Sequence, residues 1–355
     1  MTKVCFFINT LDNSGGTERV TTVLAKEFVR KGYEVHIISW YGSNVSFYTL
    51  DPKIQTHYIF ENKVGNIYKD YFKSLKIYRQ LLSQIAPEYL IDVCVALSLL
   101  SIPATVGKNI KIISWEHFNT GVSWNAYTAK ISRLLAAKCA HKVVTLTSGD
   151  KENYETFFHA KNVEFIPNPV TLNPKGRANL DEKNVLAIGR FTEQKGFDLL
   201  LPIWKKVSLE VHGWKLRIIG DGELKRNILR LAEDLELGDT VEFIEPTKEI
   251  SKYYLSSSIY VMTSRFEGLP LVLLEAKAFG LPVVSYDCDT GPRDIVIHKQ
   301  DGVLVPFLNS QEFETALLDL MRNPDLRNRY GSSALQDISR FNIHSIIESW
   351  IQILR

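Results

Sequence analysis

Two glutamates lie eight positions apart in an apolar stretch, SRFEGLPLVLLEAKAFGLPVV at residues 264–284. Proline suits the first turn of a helix and glycine suits its exit, so Pro270 and Gly280 predict a helix over residues 270–279. Glu267 then lies in the loop before that helix, and Glu275 lies inside it. Because ionised carboxylates only accept hydrogen bonds, two acids placed in this way suit the binding of hydroxyl groups.

The start of the same helix predicts a site for an anion. The backbone N–H groups of Gly268, Leu269 and Leu271 have no acceptor within the helix and should point out of its N-terminus. The helix dipole favours negative charge there, such as a phosphate group. The stretch therefore predicts a ligand that carries both phosphate and hydroxyl groups.

Further candidate residues lie in loops that follow predicted strands. They are Gly15 and Gly16 in NTLDNSGGTERV, Gly189, Arg190 and Lys195 in GRFTEQKG, and Gly222 in GDGEL. Each motif alone is weak, because a glycine pair usually serves a turn, GDG is a partial dinucleotide fingerprint, and a single cation is usually solvated. Their shared position after strands is what indicates a ligand site.

The elements that position these loops alternate between strand and helix. Predicted strands of the front half cover residues 4–8, 35–40, 91–96 and 110–115, and its helices cover 17–31 and 66–85. Predicted strands of the back half cover residues 184–188, 215–219, 241–244, 259–262 and 282–285. Such alternation predicts an α/β fold with two Rossmann-like domains, each a parallel sheet covered by helices. Ligands would bind in a cleft at the carboxyl ends of the strands.

Length and composition agree with this organisation. The chain has 355 residues, which exceeds the usual limit for one hydrophobic core. We place the connection at the two prolines of IPNPV, residues 166–170, so that the domains span residues 1–168 and 169–340. The net charge is only +2, yet residues 1–170 hold 19 basic against 14 acidic side chains. This excess is too small to indicate nucleic acid, but it could help the first domain to meet an anionic membrane.

Cysteine usage and hydropathy predict the location. Cys5, Cys94, Cys139 and Cys288 lie far apart, which indicates neither a disulfide framework nor a zinc site and favours a reducing cytoplasm. The apolar run at the start is shorter than a signal peptide requires. The longest apolar stretch, residues 89–106, is interrupted by an aspartate and a proline, so we expect a buried strand and a helix start rather than a membrane span.

The combined motifs resemble the retaining glycosyltransferases of family 4, which have the GT-B fold. The resemblance covers nearly the whole chain and is carried, in order, by SGGTERV, SWEHFN, VEFIPNPV, IGRFTEQKGFDLL, IIGDGEL and SRFEGLPLVLLEAKAFGLPVVSYDCDTGPRDIV. It implies an acceptor-binding first domain, a nucleotide-sugar-binding second domain, and a last helix at residues 341–355 that packs back on the first. Bacterial enzymes that assemble O-antigen, capsule, exopolysaccharide or lipid-linked oligosaccharide are the most similar in motif order.

The resemblance also implies a role for each candidate. Arg190 and Lys195 would bind the departing diphosphate, with help from backbone N–H groups before the helix and from Gly16. Glu267, the first glutamate of the family's E-x7-E motif, would lie near hydroxyls of the donor sugar. Glu275, the second, would bind the ribose of the nucleotide. His117 in SWEHFN matches the active-site histidine, although a single histidine is more often structural.

The reaction implied is transfer with retention of the anomeric configuration, with no enzymic nucleophile and the leaving phosphate taking the acceptor proton. The donor would be a nucleotide sugar, UDP-linked by family frequency, that carries a hexose or N-acetylhexosamine. The acceptor would be a surface polysaccharide or an oligosaccharide on polyprenyl diphosphate. We expect no cofactor, and a cytoplasmic protein in peripheral contact with the inner membrane.

One motif points to a different class. Asp287 and Asp289 form a D-x-D sequence, which binds a divalent cation in glycosyltransferases of the GT-A fold. Here it lies late in the chain, and Arg190 with Lys195 already supplies positive charge, so we predict that no metal is required.

Two matters stay open on the sequence alone. Residues 68–84, YKDYFKSLKIYRQLLSQ, interleave aromatic and basic side chains as an interfacial helix does, but an ordinary surface helix is favoured. The function also has alternatives, namely a transferase with a small water-soluble acceptor, or a non-catalytic nucleotide-sugar-binding subunit of a transferase complex.

Overall fold

The computed structural model describes residues 1–43, 46–61, 70–121 and 127–355. The chain forms two compact units, each built on its own parallel sheet. The first unit contains Met1–Thr171 and Ile343–Arg355, and the second contains Leu172–Asn342.

The first unit, in its described part, has a seven-stranded parallel sheet. Its strands are β1 (Lys3–Ile8), β2 (Glu34–Tyr41), β3 (Gln55–Phe60), β4 (Tyr89–Asp92), β5 (Lys111–Glu116), β6 (Lys142–Thr145) and β7 (Val163–Phe165). They lie in the order β3-β2-β1-β4-β5-β6-β7. Its helices include α1 (Gly16–Arg30), α2 (Tyr71–Ile85), α3 (Ser98–Thr105), α4 (Tyr127–Cys139) and α5 (Ser148–Phe157).

Successive side chains of β1 show that helices cover both faces of this sheet. The Phe6 ring packs on Phe28 of α1 at 5.9 Å, whereas the Phe7 ring stacks on Tyr78 of α2 at 4.3 Å. Neighbouring residues of a strand point to opposite faces, so α1 and α2 lie on opposite sides. Burial on both faces explains why β1 is a continuous apolar run.

The second unit, all of which is described, has a six-stranded parallel sheet. Its strands are β8 (Asn184–Ile188), β9 (Lys215–Ile219), β10 (Val241–Ile244), β11 (Ile259–Met262), β12 (Val283–Asp287) and β13 (Gly302–Pro306), in the order β10-β9-β8-β11-β12-β13. Its helices are α6 (Phe197–Glu210), α7 (Lys225–Asp234), α8 (Ile250–Leu255), α9 (Leu271–Ala278), α10 (Pro292–Ile295), α11 (Ser310–Arg322) and α12 (Pro324–Asp337).

The last helix, α13 (Ile343–Ile353), belongs to the first unit. Its buried face includes Trp350, whose ring packs edge-on against Trp115 of β5 at 4.9 Å. Lys31, just after α1, pairs with Glu348, and the Tyr89 hydroxyl bonds to the Leu354 carbonyl. The expected return of the C-terminal helix to the first domain is therefore confirmed.

Several predicted elements differ from the structure. The strand predicted at 91–96 lies earlier, at Tyr89–Asp92, because the buried Asp92 is bound by Ser98 and Ser101 and the chain turns there into a short 3₁₀ helix, Val95–Leu97. The helix predicted at 66–85 is seen as α2, and residues 66–69 lie outside the described ranges. Strands β3, β6, β7 and β13 were not predicted.

Candidate active site

In both sheets the strand order reverses beside the first strand, which makes the crevice where doubly wound folds bind ligands. In the second unit that point lies between β8 and β11, which are neighbours in the sheet. The loop after β8 carries Lys195, and the loop after β11 carries Glu267. The Lys195 ammonium lies 2.6 Å from Glu267 Oε1, and the two side chains are only 15% and 6% exposed.

These two loops are fastened together by several hydrogen bonds. The Arg265 N–H donates to the Gln194 carbonyl at 2.7 Å, and Gln194 Nε2 donates to the Phe266 carbonyl at 3.0 Å. The Arg265 guanidinium forks onto Asp198 at 2.9 and 2.6 Å, and this bond lowers the pKa of that carboxyl. These hydrogen bonds fix the two loops that carry Lys195 and Glu267 relative to each other.

Arg190 differs from Lys195 in its surroundings. Its side chain is exposed, and within the described ranges no carboxylate lies at ion-pair distance from it. The neighbouring Gly189 donates its N–H to the Ile219 carbonyl at 3.0 Å and lies beside the Lys195 methylenes. Arg190 is therefore a cation available to an anionic ligand at the carboxyl end of β8.

Gly222 joins the loop after β9 to the loop after β8. A side chain there would place its Cβ 2.6 Å from the Phe191 carbonyl oxygen, so only glycine permits this approach. The Phe191 N–H in turn donates to the Asp221 carbonyl at 2.9 Å. Gly222 thus acts here by letting two loops meet.

Helix α9 begins one residue later than predicted, with Pro270 as its N-cap. The backbone N–H groups of Gly268, Leu269 and Leu271 make no hydrogen bond with any described residue. Free N–H groups at a helix N-terminus form an anion-binding arrangement. These N–H groups belong to the same loop as Glu267, the partner of Lys195, and to the first residue of α9.

Glu275 lies inside α9, as predicted, and is 4% exposed. The Tyr254 hydroxyl of α8 donates to its Oε2 at 2.9 Å, and the Tyr254 ring stacks on Phe279 at 5.0 Å. The carboxylate is therefore held in a defined orientation by a packed tyrosine.

In the first unit, Gly15 is the N-cap of α1 and Gly16 is its first residue. The Glu18 carboxylate occupies the space that a side chain at Gly15 would need, since a Cβ there would lie 2.3 Å from its Oε2. That carboxylate is buried and accepts a hydrogen bond from the Thr17 hydroxyl at 2.7 Å. Sequence reasoning did not single out Glu18.

His117 follows β5, and its ring packs on Trp115 at 4.2 Å. Its Nε2 is buried and has no hydrogen-bond partner among the described residues. Burial lowers the pKa of the imidazole to about 3. A pKa lowered in this way favours the neutral ring at physiological pH.

The neighbouring Glu116 has a structural role. Its Oε2 accepts from Arg133 Nε at 2.7 Å and from the Tyr154 hydroxyl at 3.0 Å, with all three side chains buried. The next turn is held by Asp150, which accepts from the Thr120 N–H at 2.9 Å. These contacts fix the loop that carries His117.

The two aspartates of the D-x-D sequence have different surroundings. Asp287 is paired with Arg293 through two hydrogen bonds of 3.0 and 3.1 Å, and Asp289 is exposed. In the part of the chain that the structure describes, no three His, Cys, Asp or Glu side chains come together as metal ligands would.

The twelve candidates are divided between the two units, and the one direct bond between two of their side chains among the described residues is that of Lys195 with Glu267. Lys195, Glu267, Arg190, Gly189, Gly222, Gly268, Leu269, Leu271 and Glu275 lie in the second unit, and Gly15, Gly16 and His117 lie in the first. Residues that support these sets and were not predicted include Gln194, Arg265, Tyr254 and Arg133. Their contacts join residues that are distant in sequence, and no local motif signals them.

Family models match both halves of the chain. The model described as Glycosyltransferase Family 4 matches residues 14–173, and the model described as Glycosyl transferases group 1 matches residues 171–337. A glycosyltransferase of Haemophilus influenzae with no assigned role is 38% identical, and the amylovoran biosynthesis glycosyltransferase AmsD of Erwinia amylovora is 32% identical; each alignment covers 100% of both chains.

A more distant relative is also a glycosyltransferase, and a solved structure has the same fold. A Campylobacter jejuni enzyme, named as an alpha-1,4-N-acetyl-D-galactosaminyltransferase acting on a GalNAc-GalNAc-diNAcBac-PP-undecaprenol, is 26% identical over 100% of this chain and 98% of its own. The fold matches that of Staphylococcus aureus TarM, described as bound to UDP, with a TM-score of 0.85 at 17% identity over 100% of both chains.

Two Rossmann-like units of this topology define a GT-B protein. The chain belongs to the family 4 glycosyltransferases.

Proposed function

We propose that this glycosyltransferase moves a hexose or N-acetylhexosamine from a UDP-sugar to a growing surface polysaccharide or lipid-linked oligosaccharide, with retention and without a metal. The observation that carries the donor site is the pair of Lys195 and Glu267 at the carboxyl ends of β8 and β11. The names of the Erwinia and Campylobacter relatives support the class of acceptor. The UDP described for TarM supports the choice of nucleotide.

The leaving diphosphate would meet three kinds of donor. Arg190 offers an exposed fork, Lys195 a compact charge, and the start of α9 the free N–H groups before Leu271. Fixed donors stabilise the negative charge that develops on the departing phosphate without having to reorganise. When the diphosphate binds, Lys195 would share its protons between Glu267 and the phosphate oxygens.

The two buried glutamates would bind hydroxyl groups. Glu267 accepts from Lys195 at Oε1 and, at 3.4 Å, from Gln194 Nε2 at Oε2, and the remaining lone pairs of its carboxylate could accept from the donor sugar. Glu275, oriented by Tyr254, would accept from the ribose. The neutral ring of His117 would lie near the transferred sugar, and the backbone at Gly15 and Gly16 would help to bind the diphosphate.

Metal independence follows in this proposal from the cations present. Arg190 and Lys195 replace the charge that a divalent ion supplies in other transferases. Asp287, which a metal would need, is already held by Arg293.

A surface on the first unit fits the proposed peripheral contact with the membrane. Helices α2, α3 and α4 contain no Asp or Glu, and α3 packs against both of the others. Phe72 and Tyr127 are 80% and 79% exposed, and Lys73 and Lys76 on α2 are exposed. Residues 68 and 69 of the predicted interfacial helix lie outside the described ranges. No helix in those ranges is long and apolar enough to cross a membrane.

Vesicle binding tests this contact. A double variant, Lys73→Glu with Lys76→Glu, should lose about tenfold or more in binding to vesicles containing phosphatidylglycerol, since each cation near such a surface contributes roughly 1 kcal/mol. The matched control is Lys26→Glu with Lys161→Glu, two exposed lysines elsewhere on the unit. Equal binding by both double variants would remove this surface from the proposal.

Slow hydrolysis of the donor tests retention without a known acceptor. Proton NMR of the first sugar released from an α-linked UDP-sugar should show the α-anomer before mutarotation. Lys195→Met should abolish the release, whereas Lys215→Met, at the opposite end of β9, should not. Early release of the β-anomer would contradict retention.

The alternatives predict other outcomes. A transferase with a small acceptor would be indifferent to lipid, so equal rates on a lipid-linked acceptor and its lipid-free glycan would favour it. A non-catalytic subunit would bind the UDP-sugar and release no sugar under any condition.

A further inference from the structure

Lys277, two positions after Glu275 in α9, has a side chain that is fully buried. Its ammonium donates to the Ile295 carbonyl at 2.5 Å, to Asp301 Oδ2 at 2.7 Å, and to the Asp337 carboxylate. All three protons of the ammonium are therefore used, on three separate segments of the second unit. The proposed chemistry makes no use of this group.

Arg340 completes the cluster. Its Nε donates to both oxygens of Asp337 at 2.9 and 3.0 Å, and its terminal nitrogens donate to the carbonyls of Asp294 at 2.7 Å and Ile295 at 2.8 Å. Two cations thus balance the two carboxylates of Asp301 and Asp337. Two of the bonds, one from each cation, meet on the Ile295 carbonyl, the last residue of α10.

The other end of α10 lies against the loop that precedes α9. The Thr290 hydroxyl donates to the Glu267 carbonyl at 2.7 Å. Gly291 has φ +97°, and a Cβ there would lie 2.0 Å from the Gly268 carbonyl oxygen. The contact therefore requires glycine both for its backbone conformation and for its closeness.

We infer that Lys277 and Arg340 are positioning residues for the loop of residues 264–270, which carries Glu267 and is here called the donor loop, although neither side chain touches it. By fixing the C-terminal end of α10, they hold Thr290 and Gly291 against Glu267 and Gly268. The role in donor binding rests on the proposed function, whereas the mechanical coupling does not. Small displacements of groups that bind a substrate reduce rates strongly, so this support matters for the site.

A matched pair of variants tests the coupling. Lys277→Met removes a buried cation together with its three hydrogen bonds. Arg327→Met also removes a buried cation with three hydrogen bonds, since Arg327 donates to the carbonyls of Leu180, Leu320 and Met321 at 3.0, 2.7 and 3.1 Å. Both variants should lower the thermal midpoint, but only Lys277→Met should disturb the donor loop.

Two readouts separate positioning from general loss of stability. Amide hydrogen exchange at residues 264–271 and 290–296 should accelerate on the order of tenfold in Lys277→Met and stay unchanged in Arg327→Met. The dissociation constant of UDP, measured by calorimetry, should rise on the order of tenfold only in the first variant. If Lys277→Met does not fold, Arg340→Met should show the same two segments affected, to a smaller extent.

Hydrogen exchange tests the mechanical coupling, and UDP binding tests the role in donor binding. Unchanged exchange at 264–271 in the folded Lys277→Met protein would overturn the inference, even if UDP binds. Accelerated exchange there, in a chain whose wild type binds no UDP, would support the coupling and contradict the proposed donor.

Discussion

The ammonium of Lys195 and the carboxylate of Glu267 form a 2.6 Å ion pair across the loops that follow two neighbouring strands, β8 and β11. The pair is nearly shielded from water, whereas Arg190, near the end of the same strand β8, is exposed. The two cations assigned to the donor phosphates therefore have different structural roles. Substitutions at them should separate catalysis from stability.

Arg190→Ala and Lys195→Ala should each lower kcat by about 10²–10³, because each removes a donor to the leaving group. Arg190→Ala should change the free energy of unfolding by no more than about 0.5 kcal/mol, as for other exposed sites. Lys195→Ala should cost about 3 kcal/mol, since it leaves Glu267 buried without its partner. Steady-state kinetics and urea unfolding check both, and equal stability losses would contradict this reading.

Glu275 is proposed to bind the ribose, and the nucleotide itself can test this. Glu275→Gln should weaken binding of UDP about tenfold, because an amide offers one acceptor oxygen in place of two. Wild type and Glu275→Gln should bind 2′,3′-dideoxy-UDP with the same, weak affinity, because this nucleotide lacks the ribose hydroxyls that Glu275 is proposed to bind. Calorimetric titration of both nucleotides gives the answer, and an equal loss for both would assign Glu275 a structural role.

His117 should stay neutral across the physiological range. Because burial lowers its pKa to about 3, its ring signals in NMR should not shift between pH 5 and pH 8, in contrast to those of the urea-unfolded chain. The folded pKa lies below the unfolded value, so its contribution to stability is complete above about pH 6.5 and is lost as the pH falls towards 3. His117→Gln should therefore reduce the acid sensitivity of unfolding. A titration midpoint near 6 in the folded protein would contradict this.

Asp92, at the end of β4, should make stability depend on pH in the opposite direction. Burial raises its pKa to about 7 against the effect of hydrogen bonds from Ser101 and Ser98, at 2.5 and 3.1 Å. Because the pKa of Asp92 is higher in the folded than in the unfolded state, its contribution to the free energy of unfolding is complete below about pH 4 and is lost as the pH rises through 7. The whole effect is at most about 4 kcal/mol. Asp92→Asn should flatten this slope in unfolding measurements from pH 5 to pH 8, and an unchanged slope would assign it to other groups.

The sequence predicted strands best where short apolar segments end sharply. Strands β8, β9, β10 and β11 match their predicted bounds, since each is rich in apolar residues and is followed by a polar residue or a glycine. Strand β3 escaped prediction because its first half, residues 55–57, is polar and only Ile59 is buried in it. Without a two-sided apolar environment, its pattern resembles that of a loop.

For the site, local chemistry was predictable and long-range partners were not. The start of α9 followed from Pro270 and the glycines around it, because helix caps depend on neighbouring residues. The bond between Lys195 and Glu267 spans 72 positions, and that between Lys277 and Asp301 joins separate elements. Such contacts arise from the order of strands in the sheet, which a single motif does not contain.

Thermal stabilisation by a panel of nucleotides and nucleotide sugars, with EDTA present, tests the donor site most directly. A ligand that binds the folded state raises the midpoint according to its concentration relative to its dissociation constant. We predict that UDP and one UDP-sugar stabilise the wild type in EDTA, that Lys195→Met and Glu275→Gln largely lose this, and that Lys215→Met keeps it. No stabilisation of the wild type by any nucleotide, or stabilisation only with a divalent metal, would contradict the proposed metal-independent donor site.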